Sequence, residues 1–229
     1  MPVKYFASKI ALIHATPLAM RPVAEAFERL WPEATLMNLL DDRLSADLAE
    51  AGALDAALTR RFVDLAQYAE RTGVQGILFT CSAFGPAIEQ AARAVGVPTY
   101  KPNEAMFREA LALASATPSA RVGLLSTFEP SVQSMSAELF DLAASLALNV
   151  QLETRCAAGA LTALGTGDAA THDRLVVEQA THLERCDVVM LGQFSMARTQ
   201  PLVAAQIGRP VLTSPDSAVR LLKKTLLAA

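Results

Sequence analysis

The stretch Gly76-Ile77-Leu78-Phe79-Thr80-Cys81-Ser82-Ala83-Phe84-Gly85 decides how the rest of the chain is read. Residues 76–79 form an unbroken apolar run with the length and composition of a strand buried on both faces. Thr80-Cys81-Ser82 interrupts it, and from Ala87 to Val95 apolar residues recur at helical spacing. A strand that turns directly into a helix leaves a few small polar residues at its carboxyl end. In open α/β sheets that is where ligands bind. Cys81 has two readings there: a reagent, or a small hydrophobe buried for packing.

Composition narrows the setting. The chain has 229 residues, 52% of them hydrophobic and only 6% aromatic, enough for one large α/β domain or two small lobes. Its formal net charge of −3 comes with no basic patch, so neither nucleic acid nor an anionic membrane is an expected partner. No apolar stretch approaches the roughly 18 residues of a membrane span, and MPVKYFASK lacks the apolar core of a signal peptide. Three cysteines without paired spacing argue against a disulfide framework or a structural zinc site, and a reducing cytoplasm is the expected location. No histidine and carboxylate cluster has metal-ligand spacing and no glycine-rich phosphate loop is present, so no cofactor is expected.

The chain also echoes itself. KIALIHATPLAMRPVAEAF from Lys9 and RVGLLSTFEPSVQSMSAELF from Arg121 share one order: an apolar run, a polar break, an amphipathic stretch. GILFTCSAFG at Gly76 corresponds to VVMLGQFSMA at Val188, and AVGVPTY to QIGRPVL, at the same offset of 112 residues. Helical patterns around Arg60–Glu70 and Arg174–Glu184 correspond as well. Identities are few, but element order and offset agree. The expected fold is therefore α/β: two pseudo-symmetric lobes from an internal duplication, each a small, mainly parallel sheet flanked by helices, with the active site in a cleft between them. The first lobe takes residues 1–101 and the second 102–215, and a C-terminal helix over 216–229 returns to the first. Near the hinge, Asn103 reads as a helix cap. Lys101 and Glu104 read as structural.

Adding 112 to Cys81 gives Gln193, followed by Phe194 and Ser195. A cysteine with small polar residues after a buried strand, in a duplicated chain of this size, resembles the aspartate/glutamate/hydantoin racemase superfamily. That superfamily also includes maleate isomerases and arylmalonate decarboxylases. The resemblance implies a cofactor-independent isomerase or racemase for a small carboxylate, and a homodimer in many members. It implies two cysteines, one per lobe, passing a proton on opposite faces of one carbon. FTCSAFG supplies the first position; LGQFSMA resembles the second motif but has Gln193 in place of cysteine. Cofactor-free decarboxylation is the alternative chemistry, and a non-catalytic small-anion binder is the alternative class.

At a helix N-terminus Cys81 is expected to be held as thiolate, acting as base, acid or nucleophile, with the N–H groups of Ser82 and Ala83 receiving a carboxylate. Gln193 cannot ionise and is expected to orient the substrate. Further contacts are expected from His14 and Thr16 after the first strand, and from Ser126, Thr127 and Phe128 after its echo, together with Phe194 and Ser195. Thr127 resembles the carboxylate-holding threonine or serine of relatives. Phe84, Phe128 and Phe194 would supply apolar walls. His14 is open to two readings, a catalytic or ligand group and a strand cap. His172 and His182 read as solvated helix residues, and Cys156 and Cys186 as structural, Cys156 with nothing polar beside it.

Overall fold

Two buried strand pairs organise the protein. The computed structural model describes residues 8–117 and 120–228, so the N-terminal stretch through Ala7 and the terminal Ala229 read above lie outside the described residues. The strands are β1 (Lys9–His14), β2 (Thr35–Leu40), β3 (Gly76–Phe79), β4 (Thr99–Tyr100), β5 (Arg121–Ser126), β6 (Gln151–Cys156), β7 (Val188–Leu191) and β8 (Val211–Thr213). They form two four-stranded sheets, ordered β2-β1-β3-β4 and β6-β5-β7-β8. Every pairing is parallel. The chain is an α/β protein with helices between successive strands, and it divides into two units after Pro102. The first unit takes back the segment from Ala218, and the second spans Asn103–Ser217.

The internal echo is written into the register. Ile10 pairs with Gly76 in the first sheet and Val122 with Val188 in the second, each partner displaced by 112 residues. Ile77 opposite Thr99 likewise becomes Val189 opposite Val211. The offset slips only at the edge, where Thr35 opposite Lys9 corresponds to Gln151 opposite Arg121, 116 residues on.

Burial explains which strands took which sequence. β3 and β7 are buried at every residue, and so read as continuous apolar runs. β2 and β6 lie at sheet edges and are only partly buried, so TLMNLL and QLETRC carry polar residues. In the second unit the side-chain alternation of the pleat separates two clusters. Val122, Leu124, Val188 and Met190 pack with Met106, Phe107 and Leu139, whereas Leu125, Val189 and Leu191 pack with Val176, Leu183 and Met196. In the first unit Ala11, Ile13, Ile77 and Phe79 pack on Leu58, Phe62 and Phe84, with the Phe62 and Phe84 rings 4.7 Å apart. The helix patterns near Arg60 and Arg174 correspond to Ala56–Arg71, capped by Asp55, and Ala169–Ala180, capped by Asp168.

Asn103 departs from expectation. Its side chain makes no cap bond to the helix Glu104–Ala114; its Oδ1 instead accepts from the Ser214 hydroxyl at 2.6 Å, because both residues are buried and each needs a polar partner. Lys101 pairs with Glu89 and Glu104 with Arg108, both structural contacts.

Gly123 tests how tightly the central strand is packed. A Cβ there would stand 3.1 Å from Val189 Cγ2, 3.2 Å from Cys186 Sγ and 3.3 Å from Leu183 Cδ1. Val189 is β-branched and cannot rotate aside freely. Gly123→Ala should therefore lower the unfolding free energy by about 1–3 kcal/mol in urea titrations, with an unchanged m-value.

Candidate active site

The carboxyl ends of the two inner strand pairs carry nearly all the polar residues singled out by sequence. Cys81 and Gln193 are topological equivalents, each two residues beyond its strand and each with extended backbone (φ −121, ψ 124 and φ −119, ψ 147). Each leads into a 3-10 turn, Ser82–Phe84 and Phe194–Thr199.

In the first unit Cys81 keeps part of its surface exposed while it packs against the apolar core. Burial pushes its thiol above the ordinary cysteine value, and a hydrogen bond from the Ala83 N–H opposes that only in part. The expected low thiolate pKa is thus reversed. The turn after Cys81 is three residues long, and the helix proper begins at Gly85, so a single N–H reaches the sulfur. That N–H, expected to receive a substrate carboxylate, is directed at the thiol. Ser82 is half-buried, whereas Phe84 is wholly buried in the core against Phe62 and lines no site.

His14 ends β1 with its ring completely buried. Nε2 lies 2.9 Å from Asn38 Oδ1 and Nδ1 lies 2.9 Å from Thr80 Oγ1. Asn38 Oδ1 can only accept, so Nε2 carries the proton and Nδ1 accepts from the Thr80 hydroxyl. Burial holds the imidazole below the ordinary histidine value, with the Asn38 hydrogen bond pulling the other way. The ring therefore ties β1 to β2 and to the residue that follows β3 through side-chain bonds. Thr16 caps the following turn, its Oγ1 accepting from Leu18 N at 3.4 Å.

In the second unit Gln193 joins the ends of β5 and β7. Its Oε1 accepts from Thr127 N at 2.9 Å and from Thr127 Oγ1 at 3.4 Å. Its Nε2 donates to Ser126 Oγ at 2.8 Å and Ser131 Oγ at 3.0 Å. All four hydrogen-bonding positions of the carboxamide are thereby used, so the side chain expected to orient a substrate is held by its own unit. Ser126, Thr127, Phe194 and Ser195 are buried, whereas the Phe128 ring is 45% exposed. Phe194 is 3% exposed and offers no open wall.

Cys156, at the end of β6 and in register with Ser126, is not without a polar neighbour. Burial and a hydrogen bond with Glu129 push its thiol up to about 11. Cys186 is buried beneath Gly123, its thiol also raised to about 11 chiefly by burial. His172 is buried, not solvated; it bonds Asp173 Oδ1 at 2.8 Å, while His182 is exposed. Among the described residues no group of three or more histidine, cysteine, aspartate or glutamate side chains could hold a metal ion. No helix there is long and apolar enough to cross a membrane. Sequence reasoning missed Asn38, Thr80 and Ser131 as partners. The lone Asn38 inside the apolar run TLMNLL was the readable signal.

A thiol after a buried parallel strand, in a chain built of two like α/β units, defines a class in which strand ends carry the chemistry. The Asp/Glu/Hydantoin racemase family model matches residues 12–222, and the chain belongs to that family. No curated protein sequence matches the chain. Among solved structures, a glutamate racemase from Bacillus anthracis matches with TM-score 0.72 at 15% identity, covering 96% of this chain and 82% of its own. An allantoin racemase from Klebsiella pneumoniae matches at 0.71 and 14%, covering 97% and 89%. An unliganded arylmalonate decarboxylase matches at 0.61 and 19%, covering 97% and 94%. At these identities the likeness is one of fold.

Two titrations check the geometry. Carboxymethylation of Cys81 at pH 7 should be slower than that of a free thiol, with a midpoint above the ordinary cysteine value; a faster reaction would mean that thiolate is stabilised there after all. For His14 the unfolded chain, with the ordinary value of 6.5, takes up a proton before the folded one. Its contribution to stability is thus present above pH 6.5 and lost as pH falls through the lower folded value. His14→Gln should flatten the decline in unfolding free energy below pH 6.5. It should also cost about 1–3 kcal/mol at neutral pH, since Thr80 and Asn38 lose a buried partner.

Proposed function

We propose that the protein is a cofactor-independent enzyme of isomerase or racemase type acting on a small carboxylate, with Cys81 as its reacting group. The observation that carries this is Cys81 itself, a partly exposed thiol two residues past a fully buried central strand of a racemase-family fold. In the proposed reaction the Cys81 sulfur takes the proton from the carbon beside the carboxylate, and the C–H bond pair stays on the substrate as an enolate. Water then gives the enolate a proton on the opposite face, which inverts the carbon, and the hydroxide formed takes the proton back from the Cys81 thiol. Gln193, the equivalent residue of the second unit, has no ionisable group and cannot return one. Proton transfer at Cys81 is therefore one-faced.

One observation favours decarboxylation as the second reading. The raised Cys81 pKa keeps the group protonated near neutral pH, the form that donates. Loss of CO2 leaves the C–C bond pair on the substrate carbon, which takes the Cys81 S–H proton, and solvent reprotonates the thiolate. The arylmalonate decarboxylase likeness is consistent with that step.

The test is a panel of 2-substituted carboxylates and malonates in deuterium oxide, followed by proton NMR. Deuterium should enter with one configuration, and Cys81→Ser should lower turnover by about 10²–10⁴-fold. Equal labelling of both configurations, or turnover that survives Cys81→Ser, would refute the assignment. Ligand affinity retained by Cys81→Ala, with no turnover from any protein on any substrate, would instead mark a small-anion binder.

A further inference from the structure

Gln193 holds four hydrogen bonds in a place where a ligand would need them. One oxygen receives both the backbone N–H and the hydroxyl of Thr127. Two donors converging on a single oxygen is the arrangement that binds a carboxylate oxygen. On the other side, the hydroxyls of Ser126 and Ser131 converge on Nε2. Ser126, Thr127 and Ser131 are 0%, 5% and 4% exposed, so these groups have been taken out of water. The serine hydroxyls also bond Phe128, whereas the Thr127 N–H is given to the carboxamide oxygen and would cost free energy left unpaired. A serine hydroxyl has one proton and two lone pairs. Both serines donate the proton to Phe128 O, at 3.0 and 2.8 Å, and accept from the amide nitrogen. Serving a second oxygen therefore means turning a proton away from that carbonyl. Their surroundings reinforce the geometry. Ser131 Oγ also donates to Phe128 O at 2.8 Å, and Phe128 N donates to Ser126 Oγ at 3.0 Å, which fixes the strand end around the pocket. No charged side chain takes part.

We infer that Ser126, Thr127 and Ser131 form a pocket for a planar carboxyl or carboxamide group, and that Gln193 is its tethered occupant. The chain thus keeps the second unit's strand-end site filled with its own amide. This goes beyond the function proposed above, since it concerns a binding site within the second unit alone. With Gln193 in place the donors are occupied, and a free carboxylate or carboxamide reaches them only when the amide is removed.

The experiment uses the full chain labelled with 15N, the Thr127 amide as reporter, and sodium acetate and acetamide as probes. In Gln193→Ala the vacated pocket should bind both, and the Thr127 signal should move to saturation at concentrations at least about tenfold below any that disturb the native protein. An equal response in the native protein would mean that the site is open, and no response in folded Gln193→Ala would mean that there is no such site. Either result overturns the inference. Should the alanine variant fail to fold, Gln193→Glu retains the shape. Its introduced carboxyl should titrate below the ordinary glutamate value, since an N–H and nearby hydroxyls favour the charged form. A pKa at or above the ordinary value overturns the inference. None of these readouts measures turnover, so they stand whether or not Cys81 proves catalytic.

Discussion

A parallel strand buried on both faces has no place along its length for a side chain that needs water. β3 and β7 are buried at all four positions, and β1 and β5 at all but their first. Polar side chains can therefore enter only where the strand stops and a turn supplies partners. That constraint places His14, Thr80 and Cys81 in the first unit, and Ser126, Thr127 and Gln193 in the second. It also requires each of them to be satisfied locally, because a buried donor or acceptor left unpaired costs on the order of 1–3 kcal/mol. The strand ends are thus structural joints before they are sites.

The two units solve the same problem with different chemistry. At the end of β1 the first unit uses a neutral imidazole between a hydroxyl and an amide oxygen. At the equivalent place the second unit uses a serine and a threonine, and completes them with the Gln193 carboxamide from the next strand. The backbone register of the inner pairs is unchanged by this exchange. Duplication preserved what packing dictates and let the strand ends diverge. Of the two equivalent positions, only Cys81 retains a group able to gain or lose a proton.

The same physics decides what could be read from sequence. The runs GILF and VVML announce double-sided burial, so the two parallel sheets and the 112-residue echo were legible. The tight turn at Cys81 was not: a three-residue 3-10 segment looks like the start of the following helix, yet it aims only one N–H at the sulfur. Gln193 was legible as a departure from the family motif but not as a clamp, since Ser131, one of its partners, lies beyond Pro130 at the start of another helix. Burial of His172 was readable after all. It stands four and eight residues before Val176 and Ala180 on one helical face, and all three are buried.

Raising the pKa of a thiol and retaining it for proton transfer are compatible demands. Desolvation disfavours the thiolate of the free protein, but a thiolate formed in that setting is the stronger base. In the proposed reaction, charge created on sulfur passes to the substrate's enolate, or arises from it, so the poorly solvated anion need not persist alone. A single N–H, from Ala83, steadies the sulfur without trapping it as a stable anion. More donors would yield an easily formed but weakly basic thiolate, suited to attack on soft electrophiles more than to moving a proton at carbon. The short turn after Cys81, which defeats the simple helix-terminus expectation, therefore favours proton transfer over nucleophilic attack.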